Sequence, residues 1–105
     1  MLRADRGSVW IVDLEMAAKL QPCLILSVAT DPMDRVLVTL VPHTTSLHSI
    51  RFEVATPVRF LHANGVFDAQ QIVTVPQVKL VRKLGDVSAV QLHDVENAVR
   101  LWLVL

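Results

Sequence analysis

The apolar positions of this chain fall into short runs separated by polar or turn-forming residues, and most runs carry a two-residue period rather than a helical one. Residues 8–14 (Ser-Val-Trp-Ile-Val-Asp-Leu) and 22–28 (Pro-Cys-Leu-Ile-Leu-Ser-Val) are short, apolar and bounded by polar residues, as strands are. Asp31-Pro32-Met33-Asp34 is a turn signal, with aspartate first and proline second, where the ring pre-sets the backbone angle. Residues 35–41 follow as a third strand with Val36, Val38 and Leu40 on one face, so the second and third strands predict a hairpin. Residues 42–48 (Pro-His-Thr-Thr-Ser-Leu-His) break the pattern with a polar stretch holding two of the four histidines.

Beyond the break, residues 50–54 (Ile-Arg-Phe-Glu-Val) alternate strictly, as a half-buried strand would. Asn64-Gly65 is a turn dipeptide between residues 58–61 and 66–67, and residues 71–75 and 78–84 read as further strands separated by Pro76. Only the C-terminal part has a helical period. Ser88 with Gln91 three residues later is a capping-box pattern, and Val95, Val99 and Trp102 recur at helical spacing with Asp94, Glu96 and Arg100 on the other side. The sum is a mainly β sheet or small barrel closed by one helix, a single domain over residues 1–105.

Composition narrows the function. Apolar residues make up 52% of the chain, more than one small core needs, which predicts a homodimer. Ten basic and ten acidic side chains balance to a formal net charge of zero, which excludes a nucleic-acid binder acting through bulk charge and leaves room for a local basic groove. The one cysteine, Cys23, lies inside an apolar run, so it reads as a buried core thiol in a reducing compartment. No apolar stretch reaches the ~18 residues of a membrane span, and the charged N-terminus lacks the apolar core of a signal peptide, so the expected location is the cytoplasm.

The order of motifs resembles that of the MazF/PemK toxins of type II toxin–antitoxin systems. Arg6-Gly7-Ser8-Val9-Trp10-Ile11-Val12-Asp13-Leu14 looks like their Arg-Gly-Asp-(Ile/Val)-(Trp/Tyr)-x-Val-Asp-Leu opening. Gln21-Pro22-Cys23-Leu24-Ile25-Leu26-Ser27 resembles their second strand, and Leu40-Val41-Pro42-His43-Thr44-Thr45 is similar to their Val-x-Pro-Leu-Thr-Ser segment. Gln71-Ile72-Val73-Thr74-Val75 looks like their Gln-Ile-Arg-Thr-Val strand, and Leu84-Gly85 with the final helix resembles their ending. The resemblance implies an SH3-like small barrel with a C-terminal helix, a homodimer, and metal-independent, sequence-specific cleavage of single-stranded RNA. It also implies an antitoxin whose disordered C-terminal tail fills the RNA groove, and no cofactor.

Two departures from the family pattern concern charge. Gln21 falls where the family has the arginine that binds the scissile phosphate, and Val73 replaces an arginine that commonly follows the glutamine matched by Gln71. A neutral amide in place of a charge-assisted donor to a phosphorane costs about 3 kcal/mol, on the order of a hundredfold in rate. Thr44 falls on the family's threonine, whose hydroxyl can orient the phosphate; by itself such a residue more often caps local backbone. Lys19 is placed to act as a point charge, and His43, His48 and Arg51 surround Thr44 in sequence, a histidine being suited to proton transfer near neutral pH.

The candidate site is therefore Gln21, His43 and Thr44 for catalysis, with Lys19, Thr45, Ser46, His48, Arg51 and Gln71 for RNA contact. His62 and His93 read as surface residues. No metal is expected, because His43 and His48 have no cysteine or carboxylate pair at ligand spacing nearby. A loop shortened to residues 15–20 between the first two strands leaves substrate preference open. Two alternatives remain: a relative that binds an antitoxin-like peptide or RNA without cutting, and a gyrase inhibitor like the more distant CcdB, whose last helix residues 94–99 and Trp102 resemble.

Overall fold

The computed structural model describes residues 3–15 and 20–105. Its elements are β1 (Ser8–Asp13), β2 (Leu20–Ile25), β3 (Leu37–Thr44), β4 (Glu53–Val54), β5 (Val66–Asp68), β6 (Val73–Pro76), β7 (Leu80–Asp86) and α1 (Ala89–Leu103), with 3₁₀ turns at Ala69–Gln71 and Gln77–Lys79. All strand pairs are antiparallel, in the order β4-β5-β3-β2-β1-β7. β6 joins the free edge of β3 at Leu37–Leu40, and β5 takes over that edge at His43–Thr44. The expected small barrel is thus a mainly β sheet capped by a helix, and it does not close. β4 and β7 lie at its two ends, and β4 is only two residues long.

The central strands are buried on both faces. Val9, Leu24, Val41 and Phe67 pack with Val95, Ala98 and Val99 of α1 on one face. Trp10, Val12, Cys23, Ile25, Val38, Leu40 and Leu80 form a second cluster on the other. A strand buried on both faces needs no polar alternation, which is why β1 and β2 stand in the sequence as continuous apolar runs. Cys23 is fully buried, and burial pushes its thiol up to about 12, so it stays protonated and inert.

Gly7 carries the entry to β1. Its φ of 90° is open to glycine at little cost, and there its N–H reaches the Ile25 carbonyl (2.8 Å) while its carbonyl accepts from Val87 N (3.0 Å). Arg6 adds an ion pair to Glu96, tying the same corner to α1. The helix begins as its sequence predicts: Ser88 accepts from Gln91 N, and the Gln91 side chain accepts from Ser88 N. No helix among the described residues is long and apolar enough to cross a membrane.

The structure corrects several sequence expectations. The β2–β3 hairpin forms in the register Cys23–Pro42, Leu24–Val41, Ile25–Leu40, but β3 starts at Leu37, leaving Val36 exposed, and runs on through Pro42 to Thr44. Pro42 is tolerated because it falls between the last residue paired with β6 (Leu40) and the first paired with β5 (His43). The strand expected at residues 50–54 is reduced to Glu53–Val54. There the Glu53 carboxylate accepts from the backbone N–H of His48 and of Ile50, and so holds a loop.

The turn expected at Asn64-Gly65 forms, closed by Gly65 N to His62 O (3.0 Å), but it does not join two paired strands. Residues 58–61 make a turn closed by Leu61 N to Val58 O (3.2 Å), and β5 pairs with β3 and β4 instead. Gly65 is also needed for a reason beyond the turn: a Cβ there would stand 2.0 Å from the His43 imidazole. The last two strands begin two residues later than expected, at Val73 and Leu80, because each follows a 3₁₀ turn.

Leu24→Ala should cost about 2–5 kcal/mol of stability, since it empties a fully buried position between β1 and β3. Ser88→Ala should cost about 1 kcal/mol, the loss of one cap. Urea denaturation of both variants checks the two values and their order.

Candidate functional site

The pairing of β2 with β3 brings Gln21 and Thr44 together. Cys23 faces Pro42, and two residues outward along each strand Gln21 comes beside Thr44 on the same side of the sheet. A long contact of 3.5 Å from Gln21 Nε2 to the His43 carbonyl crosses the same pair of strands. Beside this pair opens a cavity of about 510 Å³ whose lining includes Gln21, Thr44, Ser46, His48, Asp68, Gln70 and Gln71. Five of the residues expected from sequence therefore share one space: Gln21, Thr44, Ser46, His48 and Gln71.

The Thr44 hydroxyl caps local backbone and remains available for chemistry. Its oxygen accepts from Ser46 N at 3.0 Å, closing a small turn, while its O–H proton is left free to donate. Gln71 ends the 3₁₀ turn Ala69–Gln71, which starts where the Asp68 carboxylate accepts from Gln70 N at 3.0 Å. Asp68 is 6% exposed and is the cavity's carboxylate; no lysine or arginine among the described residues lines this space.

A second cavity of about 380 Å³ adjoins the first at the same end of the sheet and shares Gln21 and Thr44 with it. Its lining adds His43, Thr45, Phe60, His62 and Arg82. His43 thus belongs to the second cavity and not the first, since neighbouring residues of a strand point to opposite faces. It is 5% exposed, edge-on to Phe67 with 5.0 Å between ring centroids, and its Nε2 has no hydrogen-bond partner. Burial, and in smaller part the neighbouring His62, push its pKa below the ordinary histidine value.

The other expected residues lie elsewhere. Arg51 lines neither cavity; its guanidinium sits 4.7 Å from the centroid of the Phe52 ring. Lys19 lies outside the described residues. Sequence reasoning missed Asp68, Gln70 and Arg82. Arg82 arrives through register: Ile11 of β1 faces Arg82 on one side and Pro22 on the other, a cross-strand row that no local pattern announces. Among the described residues, Arg82 forms no ion pair. No group of three or more His, Cys, Asp or Glu side chains among them is arranged to hold a metal ion.

These features define a small helix-capped antiparallel sheet with two adjoining cavities at one end of its central strands, one lined by hydroxyls, amides and a carboxylate and the other holding an arginine. The family model described as the PemK-like, MazF-like toxin of type II toxin–antitoxin systems matches residues 5–103, and the chain belongs to that family. Among solved structures it is similar to an endoribonuclease in complex with its cognate antitoxin from a mycobacterial species, with a TM-score of 0.82 at 27% identity over 97% of this chain and 96% of that one. The Mycobacterium tuberculosis toxin MazF-mt6 matches with a TM-score of 0.75 at 27% identity, over 93% of this chain and 97% of that one. The MazE–MazF structure from Deinococcus radiodurans shares the fold, with a TM-score of 0.82 at 21% identity over 98% and 97% of the two chains. No curated protein sequence matches the chain significantly.

The lowered pKa of His43 has a signed consequence. Below the ordinary histidine value of about 6.5 the unfolded chain takes up a proton that folded His43 refuses. The stability that rests on neutral His43 is therefore fully present above about pH 6.5 and is lost as pH falls toward its folded value. Urea denaturation at pH 7.5 and 5.5 should show a decline in the native protein and a smaller one in His43→Phe. An equal decline in both would refute the assignment to His43.

Proposed function

We propose that this chain is the toxin of a type II toxin–antitoxin pair and cleaves single-stranded RNA, mRNA included, without a metal ion, at the junction of Gln21 and Thr44. The observation that carries the reading is the convergence of these two side chains, from separate strands, at the mouth of a cavity whose lining also includes Gln71 and His48. In this reading the 2′-hydroxyl attacks the adjacent phosphorus, the P–O5′ bond breaks, and the products carry a 2′,3′-cyclic phosphate and a 5′-hydroxyl. The Thr44 O–H and the Gln21 amide donate to the phosphorane oxygens. His48, in the same cavity, accepts the 2′-hydroxyl proton, and the leaving 5′-oxygen is protonated from water at the open mouth.

Neutral Gln21 stabilises the phosphorane less than an arginine would. The cation close to the pair is Arg82 of the second cavity, with Lys19 two residues before Gln21 in the chain. Thr45 and Ser46 flank Thr44 and complete the RNA contacts. The partners in this reading are a second copy of the chain and a cognate antitoxin whose C-terminal tail occupies the groove. Exposed Leu101, Trp102, Leu103 and Val104 at the end of α1 support an apolar contact between copies. The working compartment is the cytoplasm.

A second reading, a toxin-fold protein that binds RNA or an antitoxin tail without cutting, is favoured by the absence of lysine and arginine among the described residues around the first cavity. One experiment separates the two. Purified protein, free of antitoxin, is incubated in EDTA with a long single-stranded RNA, and the cut ends are mapped. The cleavage reading expects defined cuts that Thr44→Ala abolishes and that Gln21→Arg accelerates by up to about a hundredfold. No cutting by either the native chain or Gln21→Arg would overturn it.

A further inference from the structure

Asp68 is out of place beside a phosphate. It presents a carboxylate in the space shared with Thr44 and Gln21, with no lysine or arginine among the described lining residues to balance it. Its position is well determined: its backbone pairs with Glu53 across β4 and β5, and one carboxylate oxygen accepts from Gln70 N at 3.0 Å. The other oxygen makes no hydrogen bond to any described residue, and although Asp68 as a whole is only 6% exposed, that oxygen is not among the enclosed unpartnered atoms and so opens on the cavity. A carboxylate has about four acceptor positions and the peptide fills one of them, so the open oxygen is free to take a donor from a ligand in the cavity.

Charge decides what fills the remainder. A phosphate is repelled by this carboxylate at short range, so the backbone of an RNA strand belongs toward the second cavity, where Arg82 lies. A base has no such conflict, and its exocyclic amino group is a donor of the kind an acceptor-only carboxylate lacks. We propose that Asp68 reads the base next to the scissile phosphate and selects one carrying an exocyclic amino group (cytosine, adenine or guanine) over uracil, whose exocyclic polar groups are both carbonyls. Gln70 and Gln71, exposed on the same 3₁₀ turn, supply further amide groups at the rim for the rest of the base edge. This inference rests on the reading that the cavity binds single-stranded RNA.

Asp68→Asn tests it without removing the cap, because asparagine caps as well as aspartate and keeps one acceptor oxygen. The substitution places an amide donor where the free carboxylate oxygen stood. With cut ends mapped across a long RNA of mixed sequence, the native protein should disfavour uracil at one position beside the cut. Asp68→Asn should move that position toward uracil by about tenfold, with thermal stability near native. Unchanged base preference in Asp68→Asn, or no preference in the native protein, would overturn the proposal. If the native protein does not cut, uncleavable 2′-O-methyl oligomers of cytidine and of uridine are titrated instead. Tighter binding of the cytidine oligomer, reversed in Asp68→Asn, upholds the base-reading role while the cleavage reading falls; equal binding of the two oligomers overturns the role itself.

Discussion

The register of β2 on β3 governs the rest of this molecule. With Cys23 opposite Pro42, the two strands align so that Leu24 and Val41 enter the core under α1 while Cys23 and Leu40 enter the opposite one. The same alignment leaves Gln21 and Thr44 side by side where the apolar run ends. A slip of one residue would turn every side chain of β2 to the other face, placing Cys23 where Leu24 packs and removing Gln21 from Thr44. Core and site thus depend on a single choice of pairing, and two buried faces enforce it more strongly than either would alone.

Two cavities meet at that junction and differ in charge. The first carries hydroxyls, amides, an imidazole and one carboxylate; the second carries an arginine, two histidines and the Phe60 ring. Such a division suits a ligand whose parts differ in charge, with a backbone that seeks cations and bases that seek hydrogen bonds and stacking. It also fits a chain with zero net charge, since attraction need only act locally.

Much of the fold was legible because its signals are local. The apolar runs of β1 and β2, the Asp31–Asp34 turn and the Ser88–Gln91 capping box each declare themselves within a few residues, and the motif order named the family. What remained hidden was tertiary. Pro42 looked like a strand breaker because nothing nearby shows that it falls between two outer partners of β3. Gly65 reads as a turn glycine, which it is, but nothing nearby shows that the His43 ring, 22 residues away in the chain, requires glycine there as well. The candidate site divides in the same way: motif order alone proposes Gln21, Thr44 and Gln71, which share a cavity, whereas Asp68 and Arg82 come to the cavities through cross-strand pairing that the sequence does not announce.

The central claim is that the end of β2 and β3 is where RNA binds, and backbone amide chemical shifts test it most directly. Isotope-labelled protein titrated with an uncleavable 2′-O-methyl single-stranded RNA should show its largest shifts at Gln21, Thr44, Ser46, Gln70 and Gln71, with little change along the core-facing residues of α1. Shifts centred on α1 or on the outer face of β7, with Gln21 and Thr44 unmoved, would contradict the account.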